Sequence, residues 1–162
     1  MDQAEQLRNV IKQKCKGVQQ NTARVVTVTS GKGGVGKSNL AVNMAVWLHK
    51  MGKRVIIFDA DLGLANVEVM FGAVPQYNLS DLIYRGKSIR EIISHGPLDI
   101  GFISGGLGIA GLNNLSKDQI VYLVHSLAEL NEMADVIIID TGAGISDSVL
   151  EFVMASPEIQ LI

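Results

Sequence analysis

Short apolar runs alternate with amphipathic stretches along most of the chain. Runs rich in β-branched residues are typical of strands buried on both faces of a parallel sheet, and they predict strands at 25–30, 54–59, 100–104, 135–140 and 158–162. Apolar positions at helical spacing predict helices at 39–51, 117–133 and 146–155, with one or two short helices within 78–94. This alternation predicts an α/β fold with a doubly wound, mostly parallel sheet.

Several local signals refine the predicted helices. Gly52 is expected to end the first helix, Ser80 is a candidate N-cap within 78–94, and Ser116 with Gln119 has the spacing of a capping box. In the first helix the apolar residues that share one face are Leu40, Met44, Trp47, Leu48 and Met51. In the helix at 117–133 the predicted buried stripe is Ile120, Leu123, Val124 and Leu127.

Residues 1–22 differ in character from the rest of the chain. Asp2 and Glu5 have the spacing of a helix start, and the charged residues from Arg8 to Lys16 are all positive. The residues that fall on one apolar helical face are Ala4, Leu7, Val10 and Ile11. The polar residues at 17–22 predict a linker. We therefore expect a short amphipathic arm at 1–22 and one compact domain at 23–162.

Composition narrows the functional classes. Hydrophobic residues make up 48% of the chain and aromatic residues only 5%, which predicts an aliphatic core. The formal net charge of −2 gives no support to binding of nucleic acid or of an anionic membrane. A single cysteine, Cys15, excludes an internal disulfide and a paired-cysteine metal site. There is no signal peptide and no apolar run near the ~20 residues of a membrane span, so a cytoplasmic protein is expected.

Residues 31–38 read GKGGVGKS and match the phosphate-loop pattern G-x-x-x-x-G-K-[ST] between a predicted strand and a predicted helix. The glycines allow backbone N–H groups to converge on phosphate oxygens at the positive end of the helix. Lys37 then reaches the terminal phosphates of ATP or ADP, and the Ser38 hydroxyl binds Mg²⁺. The predicted ATP-binding residues are Gly31, Lys32, Gly33, Gly34, Val35, Gly36, Lys37, Ser38 and Asn39. The alternative is an ordinary glycine-rich turn.

Two further predicted strands end in aspartates. Asp59 and Asp61 follow the apolar run at 55–58, and Asp140 follows four apolar residues, which is typical of a strand that brings a carboxylate near Mg²⁺. We expect Ser38, Asp59 and Asp140 to form the metal environment. Asp59 and Asp61 have an alternative role as acidic caps of a helix starting near residue 65, and Asp140 alone is compatible with an ordinary loop start.

The early lysine, Lys32, makes the loop resemble the deviant phosphate loop of the MinD/ParA ATPases. The resemblance implies the P-loop NTPase fold and a nucleotide-sandwich homodimer in which Lys32 reaches the partner's nucleotide. Residues 59–64 are similar to that family's first switch segment, which implies that Asp61 orients the attacking water and that Asp59 lies nearer the water shell of the metal. The implied catalytic residues are Lys32, Lys37 and Asp61. Alternatively, Lys32 is a solvated turn lysine.

The run D-Q-A-x-x-L-R at 2–8 resembles the N-terminus of the FlhG branch (also called FleN or YlxH) of this family, which controls flagellar number and placement. The segments 36–39 and 140–144 are also similar to that branch, and Gly142 stands where MinD usually has proline. The resemblance implies an ATP-dependent switch whose arm stimulates the GTPase FlhF, with flagellar switch or C-ring proteins as further candidate partners. The implied partner-binding residues are Asp2, Gln3, Ala4, Leu7 and Arg8. The alternative is an arm that packs on its own domain.

The chain stops within a predicted strand, so we expect it to be the N-terminal portion of a longer protein. In the family, the adenine-binding segment and a membrane-targeting helix lie further on. We therefore expect no lipid binding by this chain, although the full-length protein would lie at the inner face of the cell membrane. The alternatives are a MinD-type cell-division regulator, a non-catalytic module that holds nucleotide, and a ParA-type DNA-partitioning protein, which the net charge disfavours. Iron–sulfur relatives are excluded by the single cysteine.

Overall fold

The computed structural model of the chain describes residues 23–61, 64, 66–106, 115–142 and 158–161. The strands are β1 (Arg24–Thr29), β2 (Val55–Asp59), β3 (Ser94–His95), β4 (Gly101–Ile103), β5 (Val136–Asp140) and β6 (Glu158–Leu161). The helices are α1 (Lys37–Lys50), α2 (Asn66–Phe71), α3 (Leu79–Tyr84), α4 (Ile89–Ile92) and α5 (Lys117–Met133), and a 3₁₀ turn covers Pro97–Asp99.

Within these residues the strands form one sheet in the order β3-β4-β2-β5-β1-β6. All neighbouring pairs are parallel except the short β3, which runs antiparallel to β4 at the edge. Every residue of β2 and β5 is buried, as expected for continuous apolar runs in the centre of a parallel sheet. The predicted α/β fold with a mostly parallel sheet is confirmed.

Helices cover both faces of this sheet. On one face α1 and α2 pack through Ala41, Ala45, Val67 and Phe71, and Phe71 makes an edge-to-face contact with Phe102 of β4 at 5.5 Å between ring centroids. On the other face the buried residues of the helices are Leu79, Leu82, Ile89, Ile92, Leu123 and Leu130. Aliphatic side chains therefore dominate both layers of the core, as the composition predicts.

The apolar face assigned to the first helix from its sequence pattern is only partly its buried face, since Met44 and Leu48 pack against the core and the other three residues are exposed. Ala41 and Ala45 are fully buried, whereas Leu40, Trp47 and Met51 are 39%, 65% and 57% exposed. Lys37 is also buried, and residues four positions apart share a helical face, so 37, 41 and 45 together turn toward the sheet. Small alanines allow the helix backbone to lie close to the strands, Met44 and Leu48 pack at the edge of this contact, and Leu40, Trp47 and Met51 are left exposed.

The region 78–94 contains two short helices, and the predicted N-cap within it is wrong. Asn78, not Ser80, caps α3, because its side chain accepts the Ser80 N–H at 2.8 Å. Ser88 caps α4 in the same way, and both caps form capping boxes. Strand β3 was not predicted.

The capping box of Ser116 and Gln119 and the bounds of α5 are confirmed. Leu123 is buried and Leu127 partly buried, as predicted; the side chains of Ile120 and Val124 lie outside the described residues. The arm at 1–22 and the predicted helix at 146–155 also lie outside them. Among the described helices, none is both long enough and apolar enough to cross a membrane.

Candidate functional site

The carboxyl ends of β1, β2 and β5 meet at one edge of the sheet. Asp140, the last residue of β5, pairs with Val28 of β1 on one side and with Asp59, the last residue of β2, on the other. The glycine-rich loop at 31–36 leaves β1 at the same edge and leads directly into α1. Ligands of doubly wound folds bind outside the carboxyl ends of the strands, so this edge is the candidate site.

The loop places two glycines in the left-handed backbone conformation. Gly34 has φ of 71°, and Gly36, the N-cap of α1, has φ of 93°. A Cβ at either position would meet nothing within 4 Å, so the backbone conformation, rather than lack of space, favours glycine there. Residues 31–35 are exposed, and the first turn of α1 carries no acidic residue. The loop and the positive end of the helix are thus open to an anion.

Lys37 is buried under this loop rather than extended into solvent. Its Nζ donates to Ser30 Oγ at 3.2 Å and to the Lys32 carbonyl oxygen at 3.5 Å. The Ser30 hydroxyl in turn donates to that same carbonyl. These contacts hold the ammonium group across the loop, while Lys32 itself is exposed. Ser30 was not predicted as a site residue, although its place directly before the loop was a usable signal.

Asp140 is fully buried, and neither of its carboxylate oxygens accepts a hydrogen bond from any described residue. Burial raises the pKa of Asp140, and the negative charge of Asp61 raises it further. The Ser38 hydroxyl and the Lys37 ammonium group lie close enough to offset part of this rise, although the hydroxyl does not reach hydrogen-bond geometry. A buried carboxylate without partners is costly, so this position is suited to a bound cation.

Asp59 has a different environment from Asp140. Its Oδ1 accepts the Asp61 N–H at 3.2 Å and its Oδ2 accepts the Val67 N–H at 3.1 Å. Burial raises the pKa of Asp59 to about 7, the neighbouring Asp140 and Asp61 add to the rise, and the two N–H groups oppose it. Through these contacts Asp59 fixes the backbone of Asp61 and of Val67 at the start of α2. A role at the start of a helix is the alternative considered from the sequence.

Asp61 is partly buried between β2 and the segment after β5. Its Oδ2 accepts a hydrogen bond from Asn66 Nδ2 at 3.2 Å. A Cβ on Gly142 would lie 3.4 Å from Asp61 Oδ1, so the missing side chain at Gly142 leaves that oxygen uncrowded. The Ala60 N–H also donates to the Asp140 carbonyl at 2.8 Å, which joins the two strand ends. Asn66 had no signal in the sequence, because its role depends on how α2 folds back.

The donor set of this edge fits Mg²⁺. Asp140, Ser38 and Asp61 offer oxygen atoms, the ligands that Mg²⁺ prefers. Among the described residues no group of three or more His, Cys, Asp or Glu side chains converges as a closed metal cage. Mg²⁺ usually keeps several waters and uses one or two carboxylates together with substrate phosphates. The arrangement therefore suits magnesium bound together with a phosphate, and not a metal enclosed by protein ligands alone.

The structure brings most of the predicted site residues to this one edge. Around this edge lie the loop residues, Ser38, Asp61 and Asp140. Asp59 lies at the same edge but is buried. Asn39 is exposed in the first turn of α1. The predicted partner-binding residues Asp2, Gln3, Ala4, Leu7 and Arg8 lie outside the described residues.

Comparison with known protein families and with curated proteins finds relatives of this chain. A family model of the ParA group, described as the NUBPL iron-transfer P-loop NTPase, matches residues 21–96, a range that contains no cysteine. The chain is 40% identical over 139 residues to the antiactivator FleN of Pseudomonas aeruginosa and 37% identical over 143 residues to the flagellum site-determining protein YlxH of Helicobacter pylori. These matches cover 86% of this chain, and 50% and 47% of the relatives.

A third relative, the septum site-determining protein MinD of Thermotoga maritima, is 35% identical over 124 residues, which is 75% of this chain and 45% of that protein. The chain thus spans about half the length of the curated relatives it matches. These relatives confirm the resemblance to the MinD/ParA ATPases and to their FleN/YlxH branch.

Solved structures agree on the fold. The cell-division ATPase MinD of Pyrococcus furiosus matches with a TM-score of 0.71 and 24% identity, covering 86% of this chain and 59% of that one. MinD of Pyrococcus horikoshii, solved with Mg-ADP, also matches with a TM-score of 0.71, at 23% identity over 86% of this chain and 57% of that one. At this level of identity the likeness concerns the fold.

Proposed function

Because the chain belongs to the MinD/ParA family of P-loop NTPases, we propose that it forms the phosphate-binding part of a Mg²⁺-dependent ATPase that regulates the number or placement of flagella. The observation that carries the proposal is the buried carboxylate of Asp140, which has no hydrogen-bond partner among the described residues and lies beside Ser38 and Lys37. A cation bound beside the phosphate loop would compensate the free-energy cost of burying this carboxylate.

In this proposal the loop and Lys37 bind the phosphates. The backbone N–H groups of 33–38 donate to phosphate oxygens, and Lys37 exchanges its contacts with Ser30 and Lys32 for the terminal phosphates. Ser38 and Asp140 would hold Mg²⁺, which when bound neutralises charge on the phosphates. The buried position of Lys37 limits its freedom, so little side-chain entropy is lost on binding.

Asp61 is the group that we propose orients the attacking water. Its Oδ1 faces the space left by Gly142, and its Oδ2 is held by Asn66. Asp59 acts indirectly in this proposal: it fixes the backbone of Asp61 and the start of α2. It would lie near the water shell of the metal. Positioning of this kind accounts for much of the catalysis of phosphoryl transfer.

The ATP-dependent switch between monomer and dimer is proposed by analogy with the MinD/ParA family. ATP favours a homodimer in which the exposed Lys32 reaches the nucleotide of the partner, and hydrolysis returns monomers. The arm at 1–22 stimulates FlhF through Asp2, Gln3, Ala4, Leu7 and Arg8, on a domain that begins at residue 23. Similarity to proteins named antiactivator FleN and flagellum site-determining protein YlxH supports the flagellar role.

A second candidate is a regulator of the division site, because the chain is also 35% identical to a MinD. Deletion of the gene distinguishes the two. Altered flagellar number or position with normal septa supports the first, and misplaced septa with normal flagella supports the second.

The proposed ATPase is tested with Asp61→Ala. We expect Mg·ATP to bind with unchanged affinity, phosphate release to fall at least tenfold, and a dimer to sediment with Mg·ATP but not with Mg·ADP. Asn66→Ala is a graded companion, because it removes the hydrogen bond to Asp61 and leaves the carboxylate in place; it should lower turnover less. Unchanged turnover in Asp61→Ala would refute the catalytic assignment. Nucleotide binding without turnover in the wild-type chain would instead favour a non-catalytic module.

A further inference from the structure

The outer face of α5 carries exposed apolar and acidic side chains together. Val121 and Tyr122 are each 44% exposed, and Asp118, Glu129 and Glu132 are exposed at helical spacing on the same side. The Tyr122 hydroxyl donates to the Lys87 carbonyl at 3.4 Å, which fixes the ring on the surface. Arg90 pairs with Glu132 at 3.2 Å, but the Glu132 side chain remains 75% exposed. This surface, the α5 face, is thus partly apolar and mostly negative.

The first residue of the domain lies against the C-terminal end of this helix. The Ala23 N–H donates to Asn131 Oδ1 at 3.2 Å, and Ala23 packs in the same core cluster as Leu130 and Ala134. The next residue, Arg24, donates its N–H to the Asp135 carbonyl at 2.9 Å. Ala23 therefore lies on the α5 side of the sheet, next to the acidic end of the helix.

The arm has the complementary pattern. At helical spacing Leu7, Ile11 and Cys15 share one face with Ala4. Arg8, Lys12 and Lys16 follow at intervals of four residues along one flank of that face. A linker of six residues at 17–22 spans at most about 20 Å, whereas the 17 residues of α5 span about 25 Å. A linker of this length therefore allows the basic end of the arm to reach Glu129 and Glu132.

We propose that residues 4–16 dock as a helix on the α5 face, with Leu7 and Ile11 near Val121 and Tyr122 and with the basic stripe along Glu129 and Glu132. A second exposed apolar surface, around Trp47 and Met51 of α1, lies on the opposite side of the sheet. Lys50 and Lys53 are exposed beside it, so it would repel a basic arm. Charge therefore favours α5 over α1, and the contact of Ala23 with Asn131 places the start of the domain at α5.

Docking would cover Leu7 and Arg8, two residues proposed to contact a partner. The arm would then be held by its own domain until a partner competes for it. This consequence rests on the proposed function; the docking itself does not, and its test needs neither nucleotide nor partner.

The unique cysteine allows a direct test. In Glu132→Cys, mild oxidation of the dilute chain should join Cys15 to the new thiol within one molecule, because a docked arm gives the pair a high effective concentration. The matched control is Lys50→Cys, which is also exposed and lies in the last turn of α1. Because Ala23 is bound to Asn131, the tether alone favours position 132 over position 50, so the deciding comparison is Glu132→Cys with and without Val121→Asp. Docking predicts an intramolecular disulfide that forms at least about tenfold faster without Val121→Asp.

A second experiment keeps the conclusion independent of disulfide geometry. Trypsin cuts after Arg8, Lys12, Lys14 and Lys16, and docking should slow these cuts. Val121→Asp with Glu129→Lys removes both the apolar and the acidic contacts at exposed positions, and it should speed cleavage of the arm severalfold without faster cleavage of the domain. Equal disulfide rates at position 132 with and without Val121→Asp, disulfide-linked dimers alone, or cleavage unaffected by the double substitution would overturn the proposal.

Discussion

Asp59 and Asp140 occupy paired positions at the ends of adjacent parallel strands, and both carboxyl groups are buried. Asp59 accepts two backbone N–H groups, whereas Asp140 accepts no hydrogen bond from the described residues. These two neighbouring aspartates therefore have different roles. Asp59 maintains the backbone at the start of α2, whereas the carboxylate of Asp140 is available to a ligand.

Asp140→Asn should stabilise the ligand-free chain and abolish its response to magnesium. Loss of a buried, unpaired carboxylate at neutral pH should raise the free energy of unfolding by roughly 1–3 kcal/mol. The same change removes the proposed metal ligand, so Mg²⁺ should no longer increase nucleotide affinity. Urea unfolding and nucleotide titration, each with and without Mg²⁺, check both effects. A variant that still binds nucleotide more tightly with Mg²⁺ would contradict the role of Asp140.

Asp59 should make the fold less stable as the pH rises. Because its folded pKa, about 7, lies above the usual value near 4, the folded chain holds a proton that the unfolded chain has lost between these values. The stabilisation is complete below pH 4 and is lost as the pH rises to 7, with a total on the order of a few kcal/mol. Above pH 7 the effect is constant.

The matched variant for this pH dependence is Asp59→Asn. The difference in unfolding free energy between wild type and variant, measured by denaturant titration from pH 4 to 8, should change by that amount and then level off. Subtracting the two curves removes every contribution that wild type and variant share. A difference that does not vary with pH would show that Asp59 stays ionised.

Lys37→Ala and Lys32→Ala should separate binding from turnover. The buried Lys37 faces the loop, so its removal should weaken ATP binding by about 100-fold, the effect of losing charge-assisted hydrogen bonds of roughly 3 kcal/mol. Lys32 is exposed, and its removal should leave ATP affinity within about threefold. If Lys32 acts across a dimer, turnover should nevertheless fall. Equilibrium binding and phosphate release, measured on both variants, test the distinction.

Ala45→Leu and Trp47→Ala test which side of α1 faces the core. Ala45 is completely buried, so a larger side chain should destabilise the fold by about 1–3 kcal/mol through overpacking. Trp47 is 65% exposed, so its truncation should change stability by only about 0.5 kcal/mol. Urea unfolding measures both. A larger loss of stability in Trp47→Ala than in Ala45→Leu would show that the face inferred from the sequence pattern is the buried one.

The sequence was informative about strands, loop and fold class because these depend on local patterns. Apolar β-branched runs located every long strand within one or two residues, and GKGGVGKS identified the turn between β1 and α1. The buried face of α1 was only partly predicted: Met44 and Leu48 pack against the core, but the helical pattern gave no sign that Lys37 and Ala41 turn toward the sheet. The two-residue β3 has too few positions to show alternation.

The details of the site depended on contacts between distant parts of the chain. Asn66 and Thr141 carry no motif, and their roles follow from what lies opposite them after folding. Thr141, for example, donates its hydroxyl and its N–H to the Val28 carbonyl. The opposite environments of Asp59 and Asp140 were likewise invisible, because both are simply an aspartate after an apolar run.

The pairing of Thr141 with Val28 joins residues 113 positions apart in the chain. The phosphate loop and the acidic strand ends therefore come together only when the long-range parallel pairs have formed, a slow type of folding event. A partly folded chain would lack the combined site, so nucleotide should bind the complete fold and not its precursors. Saturating Mg·ATP should then protect the chain from unfolding in proportion to the logarithm of its concentration. For this molecule, cellular nucleotide would serve as part of the folding equilibrium as well as a substrate.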